Sequence, residues 1–455
     1  MSLTRVSPRA GRFGLVLAGV AALVLSGCGP DVVDSAAESA STDKLQVVED
    51  ESPSGEIVIW DRSGDLFEVF DNAIAAFNEK YPGIVVKHEA VDIDAKLQNT
   101  LIAGADVPDG VFLDDAKVSM YTEHLWDLSD LLAPYAEDIA PQKLDVNRSA
   151  NGIYGIPFDL NPGLLFYNAE ALADAGIDPA EIKTYDDLLD AARAYKKYKP
   201  ESGPIHLEQS AFLGQLQLEM YASQMGTSLA DAEGNLRLDS DEYRQILEFL
   251  NVVNGEGLGT RAEYLGPTDI AELENGNEVF YPWAIWFSFA PEQMLEQTSG
   301  AWRAMELPAW SEEGVRSGAM GGSSFVLPKQ GKNSELAWLF YEFLMYEADG
   351  YKKVWGPSEV YPSGLMTSIP AYLPAADPEA SLFEPVAALG NQNLWAVAGE
   401  AGRQIPGGTP IPSWWIGATD YLGNDLQLMY DGKLNVDEVI EKASASIQAN
   451  LVERQ

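Results

Sequence analysis

Hydrophobic positions along this chain fall into short β-rich runs separated by stripes at helical spacing. The run "GEIVIW" predicts a strand over Ile57–Trp60. A helix follows with Phe67, Phe70, Ile74 and Phe77 on one face, and "YPG" at Tyr81–Gly83 stops it. "IVVKHEAV" predicts a second strand, "AKLQNTLIAG" a second amphipathic helix, and Val111–Leu113 within "DGVFLDD" a third strand. Strand, helix, strand, helix, strand implies βαβ units and a parallel sheet. Ligands on such sheets sit beyond the carboxyl ends of the strands. That rule singles out Asp61 and Arg62 after the first strand, and Asp114 and Asp115 after the third.

Farther on, "GIYGIPFDLNPGLLFYN" sets a polar loop, Asp159–Asn161, between two apolar runs. "TYDDLLDAARAYKKY" opens with a capping signature, Thr184 with Asp187. "DAEGNLRLDSDEYRQILEFLNVVNGEGL" reads as a turn, a short strand and a helix ending near Gly255, and "NEVFYPWAIWF" as an apolar, aromatic run. "GGSSFVLPKQGKNSELAWLFYEFLM" predicts a strand and then a helix with Leu336, Leu339, Phe340, Phe343 and Leu344 toward a core. A closing helix lines up Val436, Val439, Ile440, Ala443 and Ile447. No fixed-period repeat stands out.

The N-terminus has a different pattern. Arg5, Arg9 and Arg12 precede an apolar stretch from Phe13 to Leu25, too short for a membrane span, which needs about 20 apolar residues. It reads as a secretory signal over residues 1–27. The segment Leu25-Ser26-Gly27-Cys28 resembles a bacterial lipobox. By that resemblance the chain is cut before Cys28, whose thiol carries lipid. Two or more acyl chains anchor stably where one does not. Cys28 is the only cysteine in 455 residues, so it has no internal disulfide partner and fits a tether. Residues 29–54 are small, polar and acidic, with seven carboxylates against Lys44, and read as a disordered linker.

Beyond the signal, 26 basic and 70 acidic residues leave a net charge near −44. Such a surface repels phosphate backbones and anionic lipid, so nucleic acid is excluded as a partner and membrane contact is expected only through the anchor. A hydrophobic fraction of 46%, with 11 Trp and 19 Tyr, is enough for a large core. The three histidines, His88, His124 and His206, are far apart without metal-ligand spacing. H-E-x-x-H, G-x-S-x-G and a complete P-loop are missing, and "DAEGN" reads as a turn rather than a calcium loop. No metal or cofactor is expected.

The order of these segments is similar to that of the maltose-binding-protein-like family 1 solute-binding proteins of bacterial ABC importers. The likeness covers about residues 55–450. It rests on the lipobox, "IVIW", "AFNEKYPGIVV", the crossover-like "NGIYGIPFDLNPGLLFYN", "YPWAIW", and "GGSSFVLPK" with the helix that follows. The resemblance implies an α/β fold of two discontinuous lobes around a hinged cleft. Lobe 1 would take about 55–158 and 322–378, lobe 2 about 159–321 and 379–455. It further implies an extracytoplasmic, lipid-anchored monomer that is not an enzyme but captures a carbohydrate and hands an oligosaccharide to permease subunits. A secreted glycoside hydrolase using a carboxylate pair is the alternative.

A sugar offers apolar C–H faces to aromatic rings and hydroxyls to fixed polar groups. Carried over residue by residue, the family's stacking tryptophan after a proline corresponds to Trp283, with core packing as the alternative. Trp286 and Phe287 share its run, one of them for the core. Asp61 and Arg62 would contact ligand or pair locally; Asp114 and Asp115 would contact ligand or cap the next helix. Relatives often carry an aromatic where this chain has Asp114. Asp159 and Asn161 sit at the crossover, Trp414 or Trp415 in "SWWIG" supplies another ring, and Trp355 and Tyr361 flank a rim-like loop. Trp60, Trp126 and Trp338 are expected in the core. If Cys28 is the tether, Cys28→Ser should release the protein from membranes into the soluble fraction; unchanged membrane retention on fractionation would contradict the lipobox.

Overall fold

Two five-stranded sheets carry the fold of the computed structural model. It describes residues 44–47, 50–62, 67–149, 152–359, 361–377, 379 and 382–454, without the side chain of Phe67. The expected signal, Cys28 and most of the expected linker lie outside the described residues.

The strands, in chain order, are β1 (Gly55–Arg62), β2 (Ile84–Val91), β3 (Gly110–Asp114), β4 (Ile156–Pro157), β5 (Gly163–Asn168), β6 (Ile205–Glu208), β7 (Gly259–Ala262), β8 (Phe280–Ala284), β9 (Trp302–Glu306) and β10 (Ser323–Val326). The first sheet has the order β2-β1-β3-β10-β4, the second β7-β6-β8-β5-β9. β1 runs parallel to β2 and β3, as the βαβαβ pattern demands. β10 is antiparallel to both β3 and β4, so the sheet is mixed rather than wholly parallel. The crossover that forces parallel pairing applies to neighbours in sequence, and β10 arrives from a distant stretch.

Ten helices of six or more residues matter here: α1 (Phe67–Lys80), α2 (Ile93–Ala103), α3 (Pro141–Val146), α4 (Tyr185–Tyr198), α5 (Ala211–Gln224), α6 (Asp241–Gly255), α7 (Ser334–Tyr346), α8 (Ala348–Trp355), α9 (Trp415–Tyr430) and α10 (Val436–Asn450). α4 begins at a reciprocal capping box. Thr184 Oγ1 accepts from the Asp187 N–H at 3.2 Å, and Asp187 Oδ2 accepts from the Thr184 N–H at 2.8 Å. Asn435 and Glu438 form the same device ahead of α10, whose Val436, Val439, Ile440, Ala443 and Ile447 are all buried. The short strand expected after "DAEGN" is reduced to one bridge, Ala230 with Leu236.

Aromatic packing joins distant parts of the chain. Phe70 of α1, Phe112 of β3, Phe158 and Phe325 of β10 pack mutually with centroids 5.2–5.5 Å apart. Trp355, at the end of α8, stacks on Phe158 at 4.9 Å. Lys44–Val47 do not belong to a linker. Leu45 is 5% exposed and its N–H donates to the Asp127 carbonyl at 3.3 Å, while Lys44 pairs with Asp130 at 2.7 Å. The apolar Leu45 and Val47 gain more from the core than the acidic residues around them gain from staying solvated.

Two stretches connect the sheets, 158–162 out of β4 and 307–322 out of β9. They run side by side: the Gly163 N–H donates to the Gly318 carbonyl (2.7 Å) and the Met320 N–H to the Asn161 carbonyl (3.1 Å). Ile369–Pro370 pair antiparallel with Asp159–Leu160. Phe158, fully buried where the first of these stretches begins, is a sensitive point. Phe158→Ala should cost about 3–5 kcal/mol, read as a fall in the urea midpoint, because surrounding rings cannot collapse into the void.

Candidate functional site

A cavity of about 330 Å³ opens where the connecting stretches meet the carboxyl ends of β1 and β3. That size suits a small ligand. Its floor is a buried ionic knot. Lys143 of α3 has no exposed surface, and its Nζ donates to Asp115 Oδ2 and, at 3.1 Å, to the Ser323 carbonyl, with Asp159 Oδ1 at 3.7 Å. Each carboxylate has further donors. Asp159 accepts from the Ser323 N–H (2.7 Å) and from Asn161 Nδ2 (3.1 Å). Asp115 accepts from Ser324 Oγ at 2.6 Å, and Asn147 Nδ2 lies 3.4 Å away. Burial pushes the Asp159 carboxyl above its usual range, against the pull of Lys143. Gly322 makes the knot possible. Its φ is +134°, and a Cβ there would sit 2.6 Å from Lys143 Nζ and 2.7 Å from Asp115 Oδ2.

Beside the floor, Arg62 reaches across from β1 to Asp114 at 2.5 Å, and Lys117 approaches the other Asp114 oxygen at 3.0 Å. Burial alone would raise the Asp114 carboxyl, but these two cations hold it below the usual range. Arg62 and Asp114 thus form an ion pair that lines the cavity. Asp114 is the N-terminal flanking residue of the helix Asp115–Val118, yet its side chain makes no capping bond.

Aromatic walls complete the site. Trp286, in the turn after β8, lies against Gly321, where a Cβ would come within 3.3 Å of its ring. Leu216 of α5 lies beside the same glycine, and Trp415, the first residue of α9, also lines the cavity. Three lining residues keep a buried polar atom with no hydrogen-bond partner: Asn161 Oδ1, Gln142 Oε1 and Trp286 Nε1. Buried polar groups are normally paired, so such atoms in a cavity are suited to a ligand.

Of the twelve candidate residues, the structure brings seven to this cavity: Arg62, Asp114, Asp115, Asp159, Asn161, Trp286 and Trp415. The other five are elsewhere. Trp283 has no exposed surface and stacks on Tyr264 at 5.1 Å, because β8 is an interior strand buried on both faces. Asp61 alternates with Arg62 along β1 and points to the opposite face, where His88 Nε2 lies 3.3 Å from its Oδ2. Trp414 turns away from the cavity, since one residue is about 100° of helix, and donates to the Gly234 carbonyl at 3.1 Å. Trp355 is core and supports the site only indirectly, through its 3.2 Å bond to Ser368 Oγ. Tyr361 is half-buried against the core and outside the lining. Trp60 and Trp338 are buried and Trp126 partly so.

Glu219 of α5 is a lining residue that sequence reasoning missed. Its Oε1 accepts from Tyr243 Oη (2.5 Å) and the Leu229 N–H (3.1 Å), and burial pushes its carboxyl up to about 7. One signal was present: it lies in a stretch without Lys or Arg between His206 and Arg237, among apolar neighbours.

Comparison with known proteins decides the family. Residues 61–349 match the family model for bacterial extracellular solute-binding proteins. The chain belongs to that family. An arabinooligosaccharide-binding protein of Bacillus subtilis is 27% identical over 361 residues, covering 75% of this chain and 77% of the relative. One of the same description from Halalkalibacterium halodurans is 27% identical over 342 residues, covering 69% and 72%. The structure superposes on the sugar-binding protein MalE of Xanthomonas citri with a TM-score of 0.71 at 20% identity, over 88% of this chain and 98% of that one. The family is one of binding proteins and offers no support for the hydrolase alternative. Among the described residues no helix is long and apolar enough to cross a membrane.

Two substitutions test this geometry. Lys143→Met should cost about 3–5 kcal/mol in urea unfolding, because Asp115 and Asp159 then face each other without a counter-ion. Trp283→Ala should lower the unfolding midpoint by a comparable amount, as a core ring does.

Proposed function

We propose that this chain captures an oligosaccharide in the cavity above Lys143 and delivers it to the permease subunits of an ABC importer, without cleaving it. The observation that carries the reading is the combination in one cavity of two indoles, Trp286 and Trp415, with fixed carboxylates and unpartnered polar atoms. Indole faces suit sugar C–H surfaces, and anionic oxygens held by other donors accept strongly from hydroxyls. The arabinooligosaccharide-binding relatives suggest pentose oligomers as the first ligands to try.

In the same reading the two sheets are the cores of two lobes, about 55–158 with 322–378 and about 159–321 with 379–455, and the connecting stretches flex between them. Trp286 and Trp415 stack on the sugar, Asp115, Asp159, Asn161 and the Arg62–Asp114 pair read its hydroxyls, and Trp355 braces Ser368 from behind. Cys28 tethers a monomer outside the cell by lipid alone.

Calorimetry with arabinotriose, galactobiose and maltotriose, followed by chromatography of the recovered sugar, tests the reading. Saturable binding of an intact oligosaccharide is expected. Trp286→Ala should weaken it roughly tenfold to a hundredfold, about 1–3 kcal/mol for a lost stacking ring, with little change in the unfolding midpoint. Cleaved products, or no binding by any oligosaccharide, would sink it. Glu219 adds a pH dependence. Its carboxyl gains charge as pH rises through about 7, and a carboxylate accepts from hydroxyls more strongly than a carboxylic acid. Affinity should therefore rise several-fold from pH 6 to 8, about the effect of one charge-assisted bond, and Glu219→Gln should flatten the profile.

A further inference from the structure

Away from the cavity, the second sheet buries a group of ionisable side chains that carbohydrate binding does not use. His206 and Glu208 stand on β6, Tyr281 on β8, and Asp269 and Glu278 precede β8 in the chain. His206, Asp269, Glu278 and Tyr281 have no exposed surface, and Glu208 has 3%. Among the described residues, the ionic partner of all three carboxylates is the same imidazole.

That imidazole is over-subscribed. His206 Nδ1 lies 2.9 Å from Glu278 Oε1 and 3.2 Å from Asp269 Oδ1. One ring nitrogen carries at most one proton and cannot donate to both. Asp269 Oδ1 and Glu278 Oε2 accordingly have no hydrogen-bond partner, although both are buried. Leaving two buried carboxyl oxygens without a partner is costly. The outer contacts, by contrast, are complete. His206 Nε2 faces Glu208 Oε2 at 3.4 Å, and Glu208 is itself held by the Tyr264 N–H (2.9 Å) and the Ser210 N–H (2.6 Å). Asp269 Oδ2 accepts from Tyr281 Oη (2.9 Å) and the Leu265 N–H (2.8 Å). A ligating histidine commonly donates its second N–H to a carboxylate, and ligating carboxylates are themselves hydrogen-bonded. Here the supported atoms point outward and the unsupported ones converge.

We propose that His206 Nδ1, Asp269 Oδ1 and Glu278 bind a divalent transition-metal ion that braces the second sheet. The three donors lie within 4.8 Å of one another, close enough to share one ion. A neutral imidazole with two carboxylates balances the charge of a dication. The nitrogen donor favours zinc over calcium or magnesium, which prefer all-oxygen sites. The ion is structural, because all three of its ligands are fully buried, and it enters as the chain folds.

The test is elemental analysis of the full chain, unfolded in chelator, refolded with Zn²⁺, Mn²⁺ or Ca²⁺, and desalted. About one zinc per chain is expected, with a higher unfolding midpoint than for chain refolded in chelator, since a ligand of the native state alone stabilises it. Asp269→Asn and Glu278→Gln keep the shape of each side chain but remove an anionic donor. Both should lose the metal and the midpoint difference. Refolded parent protein without stoichiometric metal, its midpoint equal in zinc and in chelator, overturns the proposal; shared protons then hold the carboxyl groups, and Glu278→Gln raises the midpoint. Calcium retained in place of zinc, or zinc retained in full by both variants, overturns it as well.

Discussion

The ammonium of Lys143, buried between Asp115 and Asp159, is the contact on which the site depends. It joins the end of β3, helix α3, the first connecting stretch and the start of β10, four pieces far apart in the chain. An ammonium out of water needs its donors filled, and here two carboxylates and the Ser323 carbonyl do so. The demand then propagates. Residue 322 must be glycine for the groups to approach, and its carbonyl accepts from the Asp115 N–H at 3.0 Å, tying the second connecting stretch to the first sheet. A polar floor results, rigid because the carboxylate oxygens of Asp115 and Asp159 are already bonded.

Over that floor the walls divide the work. Anionic oxygens already oriented by protein donors lose little freedom when they accept a ligand hydroxyl, so recognition costs little reorganisation. Trp286 and Trp415 supply apolar faces at the margins, whereas Trp283, Trp355 and Trp414 hold the scaffold from behind. Tryptophan abundance in this chain therefore has two origins. Some rings fill the large cores behind the sheets, and a few stand where a strand or helix begins or ends, which is where cavities open.

Much of the architecture was legible. The βαβαβ opening, the capping box at Thr184 and the polar loop Asp159–Asn161 follow from periodicity, caps and turn residues, all local properties, whereas the crossovers between the sheets came only with the family resemblance. The site was legible only in part, for reasons of orientation. Both Trp283 and Trp286 belong to one apolar run, and nothing local says that β8 ends between them. Trp414 and Trp415 differ by one residue, hence by a face of α9. Asp61 and Arg62 differ by the alternation of one strand. Leu45 hides in an acidic stretch whose composition masks a single buried anchor. The group around His206 was invisible for another reason: its members are spread from 206 to 281 and meet through the pairing of β6 with β8. Ligand spacing in sequence detects sites built on one element, not on several.

The central claim is that ligand lies against Trp286 and Trp415 and not against the buried tryptophans. Fluorine NMR of protein containing 5-fluorotryptophan, each resonance assigned by a single Trp→Phe variant, reads it directly. On titration with a bound oligosaccharide, the resonances of Trp286 and Trp415 are predicted to move most, while Trp283 and Trp355 stay near their ligand-free positions. Large shifts confined to Trp283 or Trp355, with Trp286 and Trp415 unmoved, would contradict it.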